Sequence, residues 1–253
     1  MIQPSLEVLE RRPDDAGDRP PLLFVHGLGH AAWAFEHWLD SAADAGFPAY
    51  AVSLRGHGGS EGRVRTARLS QYVDDVVRTA TSLPRPPVLV GHSLGGLVVQ
   101  KAMARLAVPA AVLVAPVPAH PAAGSLLALA RQHPLDLARV LAGGTLPLRP
   151  EYLFEELGPA EAERHADRCG PESAVAQYQL LFHRRAPRTG TPVLVLGTPQ
   201  DRLVPIGDVR RTARYYGAEL REFPGMGHDL MLDRRWQEPL QVLLDWVPAQ
   251  VPC

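Results

Sequence analysis

The sequence predicts an α/β chain, with a mostly parallel central sheet, helices on both faces and an inserted helical cap. Three observations predict it. Six short apolar runs are bounded by turn residues, helical patterns separate most of them, and the alternation stops between Val117 and Pro187. Short unbroken apolar runs suit strands buried on both faces, and strand–helix alternation implies βαβ units.

The first run, Pro21 to Val25, leads into the glycine-rich loop His26 to His30. The second, Ala49 to Leu54, leads into Arg55 to Ser60. Leu69 to Leu83 reads as a helix, with Tyr72, Val73, Val76 and Val77 on one face and Ser70 as its N-cap. The third run, Pro87 to Val90, precedes a helix over Ser93 to Leu106, and the fourth is Ala110 to Ala115. Val117 to Pro187 then holds no good strand. Leu126 to Arg131, Leu135 to Leu141, Tyr152 to Leu157, Glu161 to Cys169 and Val175 to Phe182 read as short helices separated by Pro and Gly. A structureless loop of that length is unusual in a compact domain, so a helical lid is expected. The pattern resumes with the strand Pro192 to Leu196, the helix Ile206 to Tyr216, the strand Glu219 to Phe223 and a last helix over Arg235 to Val247. The expected division is a core of residues 1–116 and 188–253, with the cap at 117–187.

A length of 253 residues fits one large domain with an insertion. A hydrophobic fraction of 46% argues against wholesale disorder, and a net charge of −1 argues against a nucleic-acid binder that neutralises phosphates. The longest apolar run, around Ala110 to Val117, is too short to span a bilayer. Met1-Ile2-Gln3-Pro4 lacks the features of a signal peptide. Two cysteines, Cys169 and Cys253, cannot build a disulfide framework, which points to a reducing cytoplasm. Lys101 is the only lysine, Asn is absent, and Ile occurs only at Ile2 and Ile206. This bias reads as that of a GC-rich, bacterial genome.

Gly91-His92-Ser93-Leu94-Gly95 matches G-x-S-x-G between a strand and a helix. That context is the nucleophile elbow, a tight turn in which a Cβ at Gly91 or Gly95 would crowd the backbone. A serine hydroxyl needs a base. His228, in the glycine-rich loop after the last strand, is the candidate among ten histidines. Asp201, directly after the strand Pro192 to Leu196, emerges at the same sheet edge and is the candidate orienting carboxylate. Asp208 belongs to a helix start, and Asp229 is too close to His228 in sequence to orient its ring easily. The Leu94 N–H and the Leu28 N–H, with Gly29 as second choice for the latter, are the expected oxyanion donors.

With these motifs in order, the chain resembles the α/β-hydrolase superfamily over nearly its whole length. His26-Gly27 matches the family's oxyanion loop, Arg55-Gly56-His57-Gly58-Gly59-Ser60 its R-G-x-G-x-S loop, and Ser93, Asp201 and His228 its triad positions. Arg55 to Gly62 is similar to monoacylglycerol lipases, whereas His26-Gly27-x-x-His30-x-x-Trp33 is similar to plant methylesterases. The resemblance implies acyl transfer through a serine ester, with no cofactor. The expected partner is a small-molecule acyl substrate: a carboxylic ester, thioester or lactone, free or carried on a carrier protein. An acyltransferase, a carbon–carbon bond hydrolase and a ligand receptor with vestigial turnover remain alternatives, and oligomeric state is not readable.

Gly27-Leu28-Gly29-His30-Ala31-Ala32 also fits a dinucleotide fingerprint, but that reading strands the other motifs as coincidence. His26 and His30 are spaced like a metal pair without a third ligand, so no metal is expected. His57 and His92 read as structural, and Cys169 lies far in sequence from any base. Leu127, Phe154, Tyr178 and Phe182 from the cap, with Trp33 and Leu203 from the core loops, are the candidate substrate-binding residues.

Overall fold

The computed structural model describes residues 3–251; Met1, Ile2, Pro252 and Cys253 lie outside the described residues. The chain runs β1 (Val8–Arg11), β2 (Leu22–Val25), α1 (Glu36–Asp44), β3 (Ala49–Val52), α2 (Leu69–Ser82), β4 (Val88–His92), α3 (Leu94–Ala102) and β5 (Ala111–Val114). Five helices follow: α4 (Ala123–Gln132), α5 (Pro134–Leu141), α6 (Pro150–Leu153), α7 (Pro159–Asp167) and α8 (Ala174–Phe182). The chain ends with β6 (Val193–Gly197), α9 (Ile206–Tyr216), β7 (Glu219–Glu222) and α10 (Gln237–Gln250).

The strands form one sheet in the order β1-β3-β2-β4-β5-β6-β7. Only β1 is antiparallel, pairing with β3; the other ladders are parallel. The period-two alternation of strands divides the core between the two faces. Leu22 and Phe24 of β2 pack with Trp38 of α1 and Leu243 of α10 on one side. Leu23 and Val25 pack with Val76 of α2, Leu97 of α3 and Val209 of α9 on the other. The direction of strand addition reverses between β2 and β4. The crevice beyond their carboxyl ends is where such sheets carry their sites.

Two elements escaped the sequence pattern. The edge strand β1 is largely solvent-exposed and shows no apolar run. The short helix α1 buries Trp38, Leu39 and Ala42 but follows a glycine loop and a 3-10 turn at Ala32–Phe35, which mask its period. The N-cap of α2 is Arg68 rather than Ser70, because Gln71 Oε1 reaches back to accept from the Arg68 N–H at 2.9 Å. Among the described residues no helix is long and apolar enough to cross a membrane.

Gly95 permits the first turn of α3 to pack on β2: a Cβ there would lie 2.5 Å from His26 O and closer still to Val25 O. Gly190, by contrast, has open space around its Cβ position. Gly95→Ala should lower unfolding free energy by about 3 kcal/mol, whereas Gly190→Ala should leave it within about 1 kcal/mol. Urea denaturation followed by circular dichroism checks the contrast.

Candidate active site

Ser93 connects β4 to α3 with φ 51° and ψ −116°, a conformation that a residue with a side chain rarely adopts. The turn is held from both sides. The Ser93 N–H donates to Val114 O at 3.0 Å, and Ser93 O accepts from Val117 N at 2.9 Å and Gly96 N at 3.0 Å. Ser93 occupies the N-cap position of α3 but its hydroxyl makes no capping hydrogen bond, so the side chain is free for another role.

His228 lies on the loop after β7, and Asp201 on the loop after β6. His228 Nδ1 donates to Asp201 Oδ2 at 2.7 Å, and both side chains are buried. Asp201 Oδ1 accepts from the Leu203 and Val204 N–H groups, each at 2.8 Å, which fixes the carboxylate plane. Burial pushes the His228 imidazole down; the charge and hydrogen bond of Asp201, with the charge of Asp229, together outweigh it and hold the pKa above its ordinary value. Ser93 Oγ and His228 Nε2 make no direct hydrogen bond, as is common before substrate arrives. The turn at Ser93 meets the His228 loop through His92, whose ring lies 4.8 Å from that of His228 and whose Nε2–H donates to His228 O at 3.2 Å. Burial depresses His92 to about 3, so it is neutral.

A second buried acid–histidine pair lies against the first. His30 Nε2 donates to Asp229 Oδ2 at 2.9 Å, and His30 Nδ1 donates to Leu28 O at 2.8 Å. Both ring nitrogens face acceptors, which requires an imidazolium. Despite burial, Asp229 holds His30 well above its ordinary pKa, and His30 with its histidine neighbours draws Asp229 down to about 2. Asp229 therefore serves His30 and leaves His228 to Asp201. His92, His228 and Asp229 present ligand atoms within 4.8 Å of one another and are the residues that could hold a metal ion. Their geometry is already spoken for by Asp201 on His228 and His30 on Asp229.

The Gly27–His30 loop is a tight turn in which His30 N donates to Gly27 O at 3.3 Å and Gly29 takes φ 64°. His26 Nδ1 also donates to Gly27 O, at 2.8 Å, while its Nε2 accepts from the Leu54 N–H at 3.0 Å. Burial pushes His26 well down, consistent with that neutral tautomer and leaving no lone pair for a metal. The second-choice donor, Gly29 N–H, is committed to Glu172 Oε2 at 3.1 Å. Neither the Leu28 N–H nor the Leu94 N–H donates to a protein acceptor among the described residues. Glu172 comes from the segment between α7 and α8. Its Oε1 also accepts from Tyr72 OH at 2.7 Å and from its neighbour's Ser173 N–H at 2.6 Å, and His57 Nε2 lies 3.3 Å from Oε2. Burial pushes this carboxyl up, but these partners together hold it below its ordinary value.

Ser93 and Leu28 line a cleft between the sheet edge and helices α4 and α8. Its walls are aliphatic, including Leu126, Leu129, Val140, Leu146 and Leu180, and Leu203 joins them from the loop after β6. The other candidate binding residues are elsewhere. Leu127 is 50% exposed, on the opposite side of α4 from Leu126 and Leu129. Tyr178 and Phe182, 51% and 65% exposed, pair at 5.1 Å on the outer face of α8, whereas Gln177, Leu180 and Leu181 face the cleft. Helical spacing was real in both helices, but it placed the aromatics outside. Phe154 is a core residue, and the backbone at Leu153 behind it accepts the Asp229 N–H at 2.9 Å. Trp33 stacks on His30 at 5.5 Å beneath the Arg168 guanidinium at 4.2 Å. Cys169, distant in sequence from any base, lies 3.7 Å from His30 Nε2. Arg55, the residue a nucleotide phosphate would have needed, is committed to Asp75 at 2.6 Å and 2.9 Å. Sequence reasoning missed the pairing of His30 with Asp229 and the role of Glu172; only the His30 spacing in the loop motif hinted at either.

Residues 22–242 match the model of the alpha/beta hydrolase family. A monoacylglycerol lipase of Mycolicibacterium smegmatis is 26% identical over 255 residues, covering 94% of this chain and 91% of that protein. An esterase of Oryza sativa subsp. japonica is 37% identical over 99 residues, 37% of each protein. Among solved structures, the monoacylglycerol lipase of Paleococcus ferrophilus superposes with a TM-score of 0.75 at 24% identity, covering 98% of this chain and 100% of that one.

Removing the Glu172 carboxylate would strand the buried Tyr72 hydroxyl and two backbone N–H groups. Glu172→Ala should cost about 3 kcal/mol of unfolding free energy at pH 7 and Glu172→Gln less. Because the folded-state pKa is depressed, this contribution is present above the unfolded value and fades as pH falls through the folded one. The gap between wild type and Glu172→Ala should therefore narrow in acid, as measured by urea denaturation at pH 7 and pH 4.

Proposed function

Given that the chain belongs to the alpha/beta hydrolase family and has its fold, we propose that it hydrolyses carboxylic esters through a covalent Ser93 acyl-enzyme. The observation that carries this reading is the strained, uncapped Ser93 at the edge of an aliphatic cleft, beside a free Leu28 N–H and a buried His228–Asp201 pair. The five helices between β5 and β6 act as the cap: α4 turns Ser125, Leu126 and Leu129 to the cleft, and α8 turns Gln177, Leu180 and Leu181 to it.

In this mechanism the substrate carbonyl enters beside Ser93 with its alkyl portion against Leu126, Leu129 and Leu180. His228 Nε2 takes the Ser93 proton as Oγ attacks, forming the tetrahedral oxyanion. The Leu28 and Leu94 N–H groups stabilise that charge, and Asp201 stabilises the imidazolium. His228 then protonates the departing alkoxide, and a water deprotonated by His228 releases the acid. The aliphatic lining supports an ester with an alkyl chain, and the similarity to monoacylglycerol lipases makes a monoacylglycerol the first natural ester to test.

Ser93→Ala should lower kcat on p-nitrophenyl esters by about 10⁶-fold, by analogy with other serine triads. A series from acetate to dodecanoate, with fluorophosphonate labelling of wild type alone, checks both nucleophile and chain preference. Retained turnover in the variant would remove Ser93 from the mechanism.

The base acts only when neutral at Nε2. Since Asp201 raises the His228 pKa, the acid limb of kcat/KM should fall above the ordinary histidine value. Asp201→Asn removes the charge that favours the cation. The limb should then move to lower pH while kcat drops by about 10⁴-fold. Rate profiles from pH 5 to pH 9 read both effects.

A further inference from the structure

The pair His30–Asp229 is not used by the mechanism above, yet it is buried between the two loops that the mechanism needs. We propose that His30 and Asp229 are a positioning pair for the oxyanion donor: they lock the central Leu28–Gly29 peptide of the Gly27–His30 turn, the turn that presents the Leu28 N–H. This rests on the reading of Ser93 as nucleophile and of the Leu28 N–H as donor.

The turn carries two central residues, Leu28 and Gly29, and Gly29 alone takes a left-handed φ. That is the pattern of a type II turn, whose central peptide can rotate to give a type I turn at little cost. Here the Leu28–Gly29 peptide is pinned at both ends. Its carbonyl accepts from His30 Nδ1 at 2.8 Å, and its N–H donates to Glu172 at 3.1 Å. The carbonyl, whose negative end would repel a neighbouring oxyanion, is thereby committed to a cation. His30 holds its second proton because Asp229 accepts it at 2.9 Å. Asp229 is in turn fixed by its own N–H on Leu153 O, and it follows directly on His228. The donor loop and the base loop, 199 residues apart, are thus tied by one buried contact. Trp33 stacked on the His30 ring seals the pair from one side.

The test compares His30→Ala, Asp229→Leu and Asp229→Asn with wild type, using p-nitrophenyl ester kinetics and two ligands of equal chain length. An alkyl trifluoromethyl ketone accepts the Ser93 oxygen, its proton passing to His228, and forms a hemiketal oxyanion. The matching methyl ketone binds without a stable adduct. His30→Ala and Asp229→Leu should lower kcat by about 10²-fold with KM within about threefold, as for loss of one oxyanion donor. Trifluoromethyl ketone affinity should fall in parallel, and methyl ketone affinity should not. Asp229→Asn should recover about tenfold of the Asp229→Leu loss, because an amide N–H can bond Nε2 while Nδ1–H stays on Leu28 O. Equal weakening of both ketones, or wild-type kcat in folded His30→Ala, would overturn the proposal. Should His30→Ala fail to fold, His30→Gln carries the same comparison. Hemiketal formation surviving in Ser93→Ala would instead sink the underlying nucleophile reading.

Discussion

A single strained residue sets the terms for the rest of the molecule. Ser93 holds φ 51° and ψ −116° because β5 and the start of α3 clamp its backbone and because glycines on either side leave room for the turn. Such strain costs of order 1–3 kcal/mol and persists only where the surroundings over-determine it. Here the surroundings are the most deeply buried part of the sheet. β2, β4 and β5 are fully buried strands, with the two apolar layers packed against them. The sheet centre is rigid so that one hydroxyl can stand clear of it.

Around that hydroxyl the protein gathers an unusual density of buried imidazoles, and their environments separate their tasks. His92 is neutral because desolvation meets little compensating charge. His228 retains basicity because Asp201 faces it. His30 is a cation because both of its nitrogens have acceptors. One residue type thus supplies a neutral ring, a ring of raised pKa and a fixed positive charge within neighbouring contacts, and the carboxylate partners decide which is which.

Much of this was legible in the sequence, and the reasons are physical. Buried parallel strands leave unbroken apolar runs, so six of the seven strands stood out, while exposed β1 left no such trace. Ser93, His228 and Asp201, the proposed nucleophile, base and acid, were legible because each follows a strand, a position that topology carries to one edge. Of the two N–H groups expected on that loop, Leu28 first and Gly29 second, the second is taken by Glu172, a residue that no local pattern ties to the loop. The cap was legible as helices but not as surfaces. Period alone gives Leu127, Tyr178 and Phe182 a face without saying which face turns inward. The His30–Asp229 contact was illegible for a different reason: nothing local ties residues so far apart, and proximity to His228 made Asp229 look redundant.

The hydrogen bonds that Gly170 N and Glu172 make to Gly29 join the end of the helical segment between β5 and β6 to the Gly27–His30 loop. In evolutionary terms the insertion is therefore only partly modular. Helices α4 and α5 can drift, lengthen or be exchanged to retune the cleft, because among the described residues no hydrogen bond from them reaches this loop, whereas Leu153 of α6 holds Asp229. Residues 170–173 are tied to the Gly27–His30 loop instead. A chimera that imports a foreign cap must keep this short native stitch, or it exchanges substrate range for a damaged site.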